Sequence, residues 1–136
     1  MKLNKAFIVI AGLSAFISVT VAATISQKED VKYTNLKVLP KNISSKQLQS
    51  MMVDDFQDAL GVNCSFCHAN NANGRGLDFA SDAKPEKEIT RAMMRMTMGI
   101  NKKYFKIKHP MIGSDALTVS CNTCHKGVAF PDGIDK

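Results

Sequence analysis

Cys64-Ser65-Phe66-Cys67-His68 and Cys121-Asn122-Thr123-Cys124-His125 are the two stretches on which the reading of this chain turns. Together they use all four cysteines and two of the three histidines. Four cysteines in a short chain ordinarily suggest two disulfides. A disulfide framework, however, has no use for a histidine directly after each pair. Two residues between the thiols put both sulfurs on one side of a short helical turn, and the next side chain is an imidazole.

That arrangement suits a haem of the c type. The thiols add across the two vinyl groups and the adjacent histidine faces the iron. Two such motifs with no cysteine to spare predict two haem c groups. Cys64, Cys67, Cys121 and Cys124 are then the thioether anchors, and His68 and His125 the proximal iron ligands. A zinc site built from Cys-x-x-Cys pairs is the competing reading. Zinc ribbons bring their pairs closer in sequence and need no histidine after each.

Working outward to the N-terminus, Lys2 and Lys5 precede an almost wholly apolar run over residues 6–23, and Val21-Ala22-Ala23 offers small residues for cleavage. Residues 1–23 read as a secretory signal, with an uncleaved anchor as the alternative at the short limit of a membrane span. The expected location is the periplasm, at the inner membrane if the leader is kept. Residues 24–37 form an N-terminal tether and residues 38–136 the haem-binding domain. Cleavage removes two lysines and lowers the formal charge from +6 to +4. The propionates of two haems would balance that charge, and export argues against a nucleic-acid partner.

Helical character begins after Asn42, where Ser44 and Gln47 form a capping box. Leu48, Met52, Phe56, Ala59 and Leu60 recur at helical spacing, and Gly61 stops the helix. An Asn- and Gly-rich loop over 70–76 follows the first motif. A second helix is expected from residues 82–85, with Pro85 in its first turn and Glu86 and Glu88 at its positive end. Its apolar stripe is Ile89, Ala92, Met93, Met96 and Ile100; Met94 and Met98 lie off it. The predicted fold is a small all-α di-haem cytochrome c fold, two helix–turn–CxxCH units with irregular loops. The haems supply much of the core, because so short a domain buries a limited share of its own surface.

Each iron needs a sixth ligand or an open position. A thioether is soft and neutral, and it raises the reduction potential. A methionine on an apolar helix face is more often core filler than a ligand, so placement has to decide. Met51 and Met52 lie on the helix that reverses at Gly61, in reach of the first haem across a short hairpin. Met52 is preferred, because it shares a face with Leu48 and Phe56. Met93 or Met96 stands in the same relation to the second haem. His109, beside Pro110 in a loop, reads as a surface residue. Lys102, Lys103, Lys106, Lys108 and Lys126 read either as a solvated face or as a docking patch for an acidic redox partner. Asp54, Asp55 and Asp58 read as the wet side of the first helix.

The chain resembles the cytochrome subunit of bacterial photosynthetic reaction centres over residues 38–127. The resemblance is strongest in Leu60-Gly61-Val62-Asn63-Cys64, Phe79-Ala80-Ser81-Asp82-Ala83-Lys84, Arg91-Ala92-Met93-Met94-Arg95-Met96-Thr97 and the run from Val119 through Gly127. It implies that each haem is held by a helix, a turn and a CxxCH segment, with a helix methionine as distal ligand. Residue by residue, it puts the second distal ligand on Met93 and the first on Met52 or Met51. The third and fourth haem motifs of that subunit are absent here.

The expected function is electron transfer with redox protein partners, a membrane respiratory complex among them. The competing class is a di-haem enzyme of the peroxidase kind with one open or displaceable iron position. Little chain remains beyond what covers two haems to build a substrate pocket with its own acid and base.

Overall fold

Helix formation starts at the capping pair. Ser44 Oγ accepts from the Gln47 amide while the Gln47 side chain accepts from the Ser44 amide, and α1 runs over Ser45–Ser50. The structure is a computed structural model that describes residues 32–131. The expected leader, its cleavage site and part of the tether lie outside those residues. The described residues belong to one unit, and no helix among them is long and apolar enough to cross a membrane.

Beyond α1 the helix changes gauge. Met51–Asp58 is a π-helix, with wider turns than the regular helix that the spacing predicts. Gly61 then reverses the chain at φ 63°, the left-handed geometry expected of a helix stop. The first motif forms the short helix α2, Cys64–Cys67. The Asn- and Gly-rich loop is tied off by a two-residue antiparallel pair, β1 (Ala69–Asn70) with β2 (Leu77–Asp78), a small piece of sheet inside a helix-rich fold. The long helix α3 is Pro85–Lys103, with Pro85 in the first turn and Glu86 and Glu88 at the positive end as expected. The second motif is α4, Cys121–His125.

The protein's own core is small. Met51, Met94 and Ile112 are its buried members, with Val38, Leu39 and Leu117 among the residues packed on them. Val38 and Leu39 bring the N-terminal stretch onto the core. The buried face of α3, however, is not the apolar stripe. Arg91, Met94, Thr97 and Asn101 are buried, while Ile89, Met93 and Met96 are 55%, 42% and 52% exposed. The off-stripe Met94 and Met98 therefore do the packing expected of stripe residues. Ile89, Met93, Met96 and Ile100 of the stripe line a cavity instead.

Two ties fix the long connection from α3 to the second motif. Ile112 is fully buried in the core, and Asn101, at 0% exposure, hydrogen-bonds to Thr118 and Val119 just before Cys121. A third tie joins the two motifs. The Gly127 amide donates to the Ala59 carbonyl at 2.9 Å. A Cβ on Gly61 would lie 2.0 Å from the Gly127 carbonyl oxygen, so only glycine fits there.

Candidate functional site

The first motif opens onto a cavity of about 410 Å³ lined by Cys64, Cys67 and His68. Leu48, Met52, Phe56 and Leu60 line it too, so the predicted four-residue face of the first helix is turned to this space. Met51 is not in the lining; it is buried in the core at 5% exposure. The second motif opens onto a smaller cavity of about 110 Å³, lined by Cys121, Cys124 and His125. Met93, Met96, Ile89 and Ile100 join them there. Phe56, Leu60, Thr90 and Met94 line both cavities and form a shared wall.

All four cysteines are free thiols, divided two and two between the cavities. Among the described residues no three His, Cys, Asp or Glu side chains gather to hold a bare metal ion. Burial pushes the Cys67 and Cys121 thiols up. That is opposite to the lowered thiol of a redox-active cysteine. His109 is exposed and lines neither cavity.

The two histidines differ. His125 Nδ1 lies 3.0 Å from the Val128 carbonyl oxygen. A carbonyl only accepts, so Nδ1 carries the proton and Nε2 keeps its lone pair free for a metal. His68 packs edge-on against Phe79, with ring centroids 5.0 Å apart, and its buried Nδ1 finds no hydrogen-bond partner. Burial first, and Lys87 second, hold the His68 imidazole below its ordinary pKa, outweighing the opposite pull of the Phe79 backbone. Its neutral, ligating form is favoured.

Charge divides the cavities as well. Lys32, Lys37, Lys87 and Arg91 line the first. Sequence reasoning missed these four, because the tether, the N-terminal stretch and α3 meet only in three dimensions. Asp82 and Glu88 partly neutralise them: Asp82 accepts from Lys37 at 2.7 Å and from Arg91 at 2.8 Å, and Glu88 accepts from Arg91 at 2.9 Å. In the second cavity Glu86 is the one carboxylate or cation among the described lining residues. Asp55, read from the sequence as wet helix surface, is half-buried and acts on Cys121; burial first, then Asp54 and Asp115, push its carboxyl up.

The residues present fit a covalently attached haem at each motif. Apolar helix faces that the protein does not cover with its own side chains line both spaces, beside a pair of free thiols, an imidazole and at least one thioether. When bound, such a group would supply a one-electron iron couple, and these thiols, imidazoles and thioethers are the groups that would hold it in an apolar enclosure.

Comparison with known proteins points to a cytochrome c. Residues 73–135, which contain the long helix and the second motif, match the family described as photosynthetic reaction centre cytochrome C subunit. Cytochrome c-554 of Chloroflexus aurantiacus is 34% identical over 91 residues, covering 67% of this chain and 20% of that protein. The photosynthetic reaction center cytochrome c subunit of Rubrivivax gelatinosus is 25% identical over 119 residues, covering 79% of this chain and 31% of the relative. Its counterpart from Thermochromatium tepidum is 25% identical over 118 residues, 79% of this chain and 28% of the relative. The chain thus spans between 20% and 31% of the length of these curated relatives. No solved structure matches it. The relatives carry the names of cytochromes, not of enzymes, and haem c is the cofactor those names imply. On these matches the chain belongs to the reaction-centre cytochrome family.

Proposed function

We propose that this chain is an exported, periplasmic electron carrier that holds two haem c groups, one at each motif, with histidine and methionine on each iron. The observation that carries this reading is the pairing within each cavity. A CxxCH segment and a methionine of a separate helix line the same apolar space, Met52 with His68 and Met93 with His125. Met52 is favoured over Met51 because Met51 belongs to the core. Met93 is favoured over Met96 by its match to the family pattern, since both line the second cavity. Residues 1–23 act as the secretory signal, and residues 38–136 make the di-haem domain.

The physiological exchange is with redox proteins, a membrane respiratory complex being one class of partner. Lys102, Lys103, Lys106 and Lys108 are exposed, and none of them forms an ion pair with a carboxylate among the described residues. They favour an acidic partner whose association slows as salt rises. The names of the relatives favour carriage over the peroxidase reading.

The test is expression with a competent c-type maturation system, followed by intact mass and spectra. Two haem masses on the chain, a c-type reduced band and a weak near-infrared band from ferric iron–methionine ligation support the carrier. A high-spin ferric signal that shifts with peroxide would favour the enzyme. Absence of bound haem would sink both.

A further inference from the structure

Resting on the acidic-partner reading of the lysine patch above, we propose that this partner is the anionic phospholipid surface of the membrane, met by the turn between Asn101 and Ile112. Lys102, Lys103, Lys106 and Lys108 answer the phosphate headgroups, and Tyr104 and Phe105 enter the headgroup layer beside them. The chain is thereby held on the surface where membrane-embedded redox partners lie, whether or not the leader is kept.

The turn is pinned at both ends. Asn101 is fully buried on one side and Ile112 on the other. Between them every residue is exposed except Ile107 and Pro110, which are half-buried. The Ile107 amide donates to the Asn101 carbonyl at 3.2 Å and folds the chain back on the end of α3. Lys106 Nζ donates to the Lys103 carbonyl at 2.8 Å, and Lys103 Nζ lies 5.1 Å from the centroid of the Tyr104 ring. Cations and an aromatic ring are thus gathered at one place. No carboxylate occurs in the sequence between Glu88 and Asp115 to offset them.

Tyr104 and Phe105 are 66% and 47% exposed, and Met111 is exposed beside them in sequence. Unlike Ile89, Met93 and Met96, these three line neither cavity, so no group seated there encloses them. The negative end of the α3 dipole suits Lys102 and Lys103. It explains neither Lys108 nor the exposed rings. Composition decides between lipid and protein as the partner. Protein interfaces are depleted in lysine. A lysine cluster with aromatic side chains suits an anionic headgroup layer instead. Ammonium groups answer the phosphates, and amphipathic rings settle where water gives way to acyl chains.

The experiment is co-sedimentation of the holoprotein with vesicles of phosphatidylglycerol in phosphatidylcholine, and with vesicles of phosphatidylcholine alone. Binding to the first and not to the second is expected, and it should fade as salt rises. Lys102→Gln combined with Lys103→Gln should weaken it about 25-fold, about fivefold for each lysine. Lys108→Gln, beyond the helix, repeats the charge arm if the double variant does not fold. Tyr104→Ser, at an exposed position, should weaken binding with no change of charge. Soluble polyglutamate stands in for an acidic protein. Binding to it as tight as to the anionic vesicles, and unmoved by Tyr104→Ser, overturns the lipid proposal and leaves the acidic-partner reading standing. Equal binding to both kinds of vesicle overturns the proposal as well, since the lysines then play no part. Binding to neither the vesicles nor polyglutamate sinks the acidic-partner reading and the proposal together.

Discussion

Asn101 holds Val119 by both main-chain groups: its Nδ2 donates to the Val119 carbonyl at 2.7 Å, and its Oδ1 accepts from the Val119 amide at 3.1 Å. The same side chain donates to the Thr97 carbonyl at 2.9 Å and accepts from the Thr118 amide at 2.9 Å. One fully buried amide thus joins the helix that carries Met93 to the strand of chain that enters the second motif. Asn101→Ala should cost about 3 kcal/mol, because it leaves several buried backbone groups unpaired at once. Asn101→Leu should fare no better, since it fills the volume and leaves the same groups unanswered. Denaturant unfolding of the holoprotein measures both, and a loss below about 1 kcal/mol would refute the accounting.

On the proposed two-haem reading, the methionines separate by role. Met51→Ala removes a core side chain and should destabilise by about 2–4 kcal/mol without opening the first iron to carbon monoxide. Met52→Ala, at the cavity wall, should cost less stability and open that iron. Met93→Ala should open the second iron, whereas Met96→Ala should not. Carbon monoxide binding by the reduced variants reads this directly; binding by Met51→Ala instead of Met52→Ala would reverse the assignment.

Two glycines in left-handed geometry offer a matched pair. Gly61 and Gly74 have φ of 63° and 71°, yet a Cβ would strike the Gly127 carbonyl oxygen at the first and meet nothing within 4 Å at the second. Gly74→Ala should cost about 1–2 kcal/mol, the conformational strain alone. Gly61→Ala should cost clearly more, because the chain must also move away from Gly127. Equal losses in thermal unfolding would show that the close approach contributes nothing.

The Asp82 cluster predicts how stability varies with acid. The Lys37 hydrogen bond first, and Arg91 after it, hold the Asp82 carboxyl well below the usual carboxylate range. A folded pKa below the unfolded one means that the contribution is complete above about pH 4 and fades as pH falls further. Asp82→Asn should therefore flatten the acid limb of a stability–pH curve and lower the plateau at neutral pH. An unchanged acid limb would assign that limb to other carboxylates.

Much of the architecture is legible in local chemistry. Ser44 with Gln47, Gly61 and Pro85 mark helix ends by satisfying or removing main-chain donors, and those signals need only neighbouring residues. The two motifs are legible for the same reason. Which helix face meets protein is not. Ile89, Met93 and Met96 have the spacing of a core stripe, but they line a cavity while Met94 and Thr97 are buried. Hydrophobic periodicity reports that a face avoids water and is silent on whether protein or a prosthetic group covers it. The role of Asn101 is equally hidden, since a lone polar residue in a helix carries no sign of a partner 18 positions away. The gathering of Lys32, Lys37, Lys87 and Arg91 depends on tertiary contact and has no local signature.

The main-chain meeting of Gly61 with Gly127 bears on how the molecule is assembled over time. The turn that precedes the first motif is completed by residues that follow the second. No N-terminal fragment ending before Gly127 contains that turn in finished form, and the two motifs cannot be parted into self-sufficient halves by cutting the loop between them. As the chain folds, the turn before the first motif waits, unclosed, for the last stretch.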